Sequence, residues 1–223
     1  VVAYGNSSVA EEAPPKFEMS AGITNVFIGD KLAGTNAPAG TAISIPWDDA
    51  FEHTFGFDAQ IVIRRPPRSL ASLEAGDTFL LLRVSVDTFS GLDADIDGTN
   101  SSNFSDMSVT AGWIDGKTVF NPLGKSSSVR PYLQYGGGLA SMDGVTRTDD
   151  AAVTSSACWA PTVALAFHMG IGLEMRLGSA LGIYLEAGIQ NIRKPNLDAG
   201  ATPDKQAQDL LSYPLRVGVL FAF

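Results

Sequence analysis

Six charged residues of this chain, Asp58, Arg83, Glu174, Arg176, Glu186 and Arg216, alternate with apolar neighbours in segments that read as strands. Opposite charges turned into one shared interior are stable only when they pair. A salt-bridge network across an enclosed lumen is the chemistry expected of them; a rearranging network that gates a narrow conductance is the alternative. A second candidate is Asp93-Ala94-Asp95-Ile96-Asp97-Gly98. Carboxylates at positions 1, 3 and 5 with glycine at 6 match the opening of a calcium loop. Position 12, which should bring the closing acid, is Phe104, so a solvated acidic loop is the expected reading and calcium the alternative. No catalytic set emerges. His168 has Ala166 and Gly170 at two-residue spacing and no serine for a Ser–His pair. His53 follows Asp48, Asp49 and Glu52, without a second His or Cys at metal-ligand spacing. Cys158 is the one cysteine, which excludes an internal disulfide and reads as a lone thiol. A non-enzymatic protein without a cofactor is expected.

Composition narrows the class. The chain has 223 residues, of which 45% are hydrophobic and only 17% charged, yet its net charge is −9. Apolar content this high argues against disorder, and the acidic balance against nucleic acid as a partner. No run approaches the ~18 apolar residues of a membrane helix. A mean hydropathy of +0.11 is nonetheless high for an acidic chain.

The period of the pattern resolves that tension. From Val163 to Leu177 all odd positions are apolar, while the even ones are Ala164, Ala166, His168, Gly170, Gly172, Glu174 and Arg176. Only a strand divides residues this way. The same alternation recurs in Phe55–Ile63, Leu80–Val86, Pro131–Leu139, Leu181–Gln190 and Tyr213–Phe223, and more weakly in Phe17–Ile28 and Met107–Trp113. Eight strands in succession predict an all-β fold, an eight-stranded antiparallel up-and-down transmembrane β-barrel over 17–223. The broad, uninterrupted apolar face suits lipid, and the face of glycines and charges suits a cramped interior. Residues 1–16, with Pro14 and Pro15, read as a flexible tail, and the lack of a basic segment ahead of an apolar core there reads as a processed chain.

Links between strands alternate in length: 29–53, 89–106, 141–161 and 192–212 are long, and 65–77, 115–129 and 178–180 are shorter. Membrane barrels place short turns in the periplasm and long loops outside. The long links hold Asp48, Asp49, Glu52, Asp93, Asp95, Asp97, Asp143, Asp149 and Asp150, so an acidic outer rim is expected. Trp47 and Trp159 at outer strand ends, and Trp113 at an inner one, read as membrane-interface aromatics.

Four segments carry a resemblance: Arg130-Pro131-Tyr132-Leu133-Gln134-Tyr135-Gly136-Gly137-Gly138-Leu139, Gly170-Ile171-Gly172-Leu173-Glu174-Met175-Arg176, Ile183-Tyr184-Leu185-Glu186-Ala187, and the final Pro214–Phe223. From about Val129 onward the chain resembles the small eight-stranded bacterial outer-membrane barrels that include the OmpA membrane domain and opacity-type surface antigens. That resemblance implies a bacterial outer-membrane location with periplasmic termini, and contact with outer-membrane lipid and lipopolysaccharide. It also implies a last strand, with Arg216, Gly218, Phe221 and Phe223 in the family pattern, that is read by the assembly machinery. The role it implies is structural, surface-exposed or partner-binding, through the acidic loops or the N-terminal tail. A narrow conduit or binding barrel for small or apolar ligands is the competing role. Calcium titration calorimetry should give a flat trace for the wild type; a saturable heat lost on Asp95→Ala with Asp97→Ala would instead establish a calcium loop.

Overall fold

Hydrocarbon offers no partner to a peptide group, so strands with this alternation are stable in a membrane only when each is hydrogen-bonded on both edges. The computed structural model describes residues 17–29, 32–36, 43–64, 78–95, 101–120, 128–149, 155–178, 180–194 and 208–223. Its elements are β1 (Phe17–Ile28), β2 (Leu32–Asn36), β3 (Ile43–Pro46), α1 (Trp47–Ala50), β4 (Thr54–Arg64), β5 (Thr78–Phe89), β6 (Asp93–Asp95), β7 (Ser101–Phe104) and β8 (Met107–Val119). They continue with β9 (Val129–Met142), β10 (Val145–Asp149), β11 (Ser155–Trp159), β12 (Thr162–Arg176), β13 (Leu181–Ile192) and β14 (Leu210–Ala222).

Eight of these close into a barrel in the order β1-β14-β13-β12-β9-β8-β5-β4. All neighbours are antiparallel, and β14 closes on β1 with Glu18 opposite Ala222 and Ile28 opposite Ser212. Each barrel strand anticipated from the alternation is present. The weak strand at Met107–Trp113 runs on to Val119, which shortens the link after it. Asp115 and Lys117 hid this extension, since on an inward face polar residues continue a strand rather than end it. Among the described residues no helix is long and apolar enough to cross a membrane; the crossing is made by strands.

The faces are inverted relative to a protein in water. Phe55, Phe57, Val163 and Ile171 are 66–70% exposed, while Arg83, Asp115 and Lys117 are at most 2% exposed. Bulky interior rings are accommodated by glycine: a Cβ at Gly172 would overlap the Tyr132 ring, and one at Gly218 the Tyr184 ring.

The loop end holds what the alternation did not show. β6, β7, β10 and β11 form a four-stranded sheet in the order β11-β10-β7-β6, outside the barrel's own sheet, and β2 pairs with β3. The chain then turns through α1, where Trp47, Ala50 and Phe51 are almost wholly buried. Residues 1–16 and Asp97 lie outside the described residues, as do the side chains of Asp93, Asp95, Cys158 and Trp159. Gly172→Val should destabilise the barrel by about 1–3 kcal/mol through overpacking against Tyr132, read as a lower urea midpoint for unfolding from lipid vesicles.

Candidate functional site

Inward side chains fill the barrel in three zones. At the turn end, where β1 begins and β14 ends, Val62, Phe79, Leu81, Val119 and Tyr132 form an apolar cluster. Beside it runs a chain of charges. Lys117 Nζ donates to Glu174 Oε2 at 2.7 Å and lies 4.3 Å from the centre of the Tyr132 ring. Arg176 bridges Glu174 at 3.5 Å and is ion-paired with Glu18. Lysine reaches this position because its stem packs along the ring while its ammonium meets the carboxylate.

The middle zone is a dense polar layer drawn from seven strands. Arg216 on β14 pairs with Glu186 on β13 and donates to His168 Nε2 on β12 at 2.8 Å. A guanidinium has only donors, so His168 Nε2 is the acceptor. Arg83 on β5 lies 3.3 Å from Asp115 Oδ2 and 4.0 Å from Glu186 Oε1, with its guanidinium 5.0 Å from the centre of the Trp113 ring. Gln134 donates to Asp115 at 2.9 Å, Trp113 Nε1 to Ser85 Oγ at 3.1 Å, and Tyr184 to Asp58 at 3.2 Å. These side chains share the width that an open pore would need.

Above the polar layer the interior becomes apolar. Val26, Ile28, Phe89, Met107, Val109, Ala111, Ala140, Met142, Ala164, Ala166, Ile192 and Leu210 line the mouth and form one cluster with Trp47, Ala50, Phe51 and Phe104. Trp47 stacks on Phe51 with centroids 5.9 Å apart, and Phe51 lies 6.2 Å from Phe104. Backbone bonds hold the α1 segment in place: Leu92 N to Ala50 O and Glu52 N to Ser90 O, both 2.9 Å. The mouth is thus closed by an aromatic plug. A separate apolar groove of about 550 Å³, lined by Phe120, Leu133, Ile171, Leu173, Leu185 and Leu215, lies on the outer wall, where hydrocarbon is the surrounding medium.

No protein-family model matches the sequence, and no curated protein does. Solved structures do match in fold. The outer membrane protein OprG from Pseudomonas aeruginosa superposes with a TM-score of 0.55 at 9% identity, over 94% of this chain and 96% of OprG. The outer membrane protein AlkL, solved in DMPC bilayers, gives a TM-score of 0.55 at 14% identity, over 100% of this chain and 97% of AlkL. The fold is that of an outer-membrane β-barrel.

The six charges singled out in the barrel sequence all point inward, but they divide between two zones. Arg83, Glu186 and Arg216 meet in the middle together with Asp58, whereas Glu174 and Arg176 join Lys117 and Glu18 at the turn end. His168, Asp115, Gln134 and Lys117 were not anticipated as members; continuing the two-residue period of β8 past Trp113 would have found Asp115 and Lys117. Two of the interface aromatics need correction. Trp113 is 2% exposed and faces the lumen, because its register on β8 is inward and Ser85 takes its N–H. Trp47 is fully buried in the mouth plug rather than at the lipid interface. Trp159 belongs to β11, in the sheet outside the barrel wall. In the final strand, Phe221 and Phe223 are exposed while Arg216 is buried in the polar layer.

Among the described residues, Glu186 is the one carboxylate within 4.0 Å of both middle-zone guanidiniums. Glu186→Gln should therefore cost about 3–5 kcal/mol by leaving buried cations uncompensated. Adding Arg216→Gln should cost less than the sum of the two single changes, since the pair is coupled; chemical unfolding in lipid measures both.

Proposed function

We propose that this outer-membrane barrel is non-enzymatic and closed to solutes, with its turn end and both termini on the periplasmic side and its loop end as the working surface. The observation that carries this reading is the middle zone, where charged and aromatic side chains from opposite walls meet across the lumen. Arg83, Asp115, Glu186 and Arg216 are committed to internal pairing there, and His168 is bound to Arg216 rather than to a nucleophile. Asp48, Glu52, Asp106 and Asp143 stand exposed around the loop end, a surface suited to a partner or envelope component presenting positive charge. The apolar belt meets outer-membrane lipid and lipopolysaccharide, and the segment with Gly218, Phe221 and Phe223 serves as the assembly signal. Planar-bilayer recording on the purified protein should show no stepwise conductance above the lipid background. Steady, ion-selective steps would overturn the closed-barrel reading.

A second reading has its own support: the loop end as a binding barrel for small apolar ligands. The mouth interior is mainly apolar, with Thr162, Gln190 and Ser212 as its buried polar members, although the zone beneath it is charged. One wall of the barrel is also locally unzipped. Between Ala187↔Leu215 and Gln190↔Ser212 the β13–β14 ladder makes no pairs, and Pro214 there has no N–H to offer. Pro214→Ala supplies that donor. It should slow exchange of neighbouring β13 amides with deuterium by roughly fivefold, a gain of about 1 kcal/mol in local stability.

A further inference from the structure

The polar layer is not balanced on the side that faces the mouth. Its buried carboxylates are Asp58, Asp87, Asp115 and Glu186, and its buried guanidiniums are Arg83 and Arg216. Both guanidiniums have Asp115 or Glu186 within 4.0 Å, although the Arg83 nitrogens make no hydrogen bond. Asp58 receives a hydrogen bond from Tyr184 but has no ion pair within 4.0 Å among the described residues. Asp87 is 3% exposed, and its Oδ1 has no hydrogen-bond partner.

Asp87 stands at the boundary between two zones. Next along its strand in the inward direction is Phe89, and its cross-strand partner on β8 is Val109; both belong to the apolar mouth cluster. Its other cross-strand partner is Gly56, which has no side chain and lies opposite Thr24 on β1. Thr24 is 2% exposed with an unpartnered Oγ1, and the next inward residue of β1 is Val26, again in the mouth cluster. An unpaired carboxylate and an unpaired hydroxyl therefore flank a glycine directly beneath the apolar, aromatic mouth cluster.

We propose that this floor is a site for an organic cation, a protonated amine carried on an apolar body. The inference rests on the ligand-binding reading of the mouth and adds the charge of the ligand. An ammonium group would be met by Asp87 and Thr24, with Asp58 adding negative potential below. A bare metal ion would need further oxygen ligands from above, where Phe89, Val109 and Val26 offer only hydrocarbon. The apolar body would take the space held by Phe51 and Trp47, whose aromatic faces also attract cations. Binding then requires the α1 segment to yield its place.

The test is titration calorimetry of the full chain in lipid nanodiscs, corrected for empty nanodiscs. The two probes are 2-phenylethylammonium and 2-phenylethanol, nearly equal in shape and different in charge. The ammonium should bind saturably and roughly tenfold or more tighter than the alcohol, and Asp87→Asn should erase that preference. Asp209→Asn, at a carboxylate already paired with Arg193 at 3.5 Å, should leave it unchanged. Equal affinity for the two probes, or an Asp87→Asn variant that keeps the preference, would overturn the cation site while leaving an apolar mouth pocket standing. Binding of neither probe would overturn the pocket as well. Should Asp87→Asn fail to fold, Thr24→Val takes its place: a roughly threefold loss confined to the ammonium supports the site, and no change overturns it.

Discussion

Everything in this molecule depends on the cost of an unpaired peptide group in hydrocarbon, several kcal/mol each. That cost dictates a closed sheet, and β14 returning to pair with β1 abolishes its edge. Closure turns half the side chains toward lipid and half toward a narrow interior. The outer half is then free to be uniformly apolar. A high mean hydropathy without a single apolar helix is the direct consequence.

The interior pays the opposite constraint. An eight-stranded barrel is only wide enough for its own side chains, and charges placed there must satisfy each other. The chain meets this by zoning. Lys117, Glu174, Arg176 and Glu18 settle their charges at the turn end, Arg83, Arg216, Glu186 and Asp115 in the middle, and the mouth is filled with hydrocarbon and aromatic rings. The acidity of the chain accordingly has two seats. Part lies on the exposed loop end, as the link composition suggested, and part is buried in the polar layer, where carboxylates outnumber guanidiniums.

The zoning links fold to function. On the proposed reading, a barrel whose width is taken up by charged side chains presents a surface rather than passing solutes. Its loop end is elaborated accordingly, with a four-stranded sheet outside the barrel and a short helix driven into the mouth. Where the wall has a weak seam, at Pro214, the cause is chemical: a residue without an N–H stands in a ladder that needs one.

The eight barrel strands and their inward and outward faces were legible in the sequence, because period-two alternation is local and lipid enforces it residue by residue. Inwardness of Glu174, Arg176, Glu186, Arg216, Arg83 and Asp58 followed from the same rule. Their pairing did not, since alternation says which face a side chain takes and nothing about what stands across the lumen; that depends on the register of eight strands together. Trp47 and Trp113 show the same limit. A tryptophan near a strand end reads as an interface anchor until the closed barrel turns one into the polar layer and folds the other into the mouth. The segment 47–51 has no periodicity to read, and it became a plug only because the barrel left an apolar opening of the right size above it. Sequence alone determined a lipid-facing barrel with charge inside; the tertiary structure decided which charges meet and which carboxylate is left over.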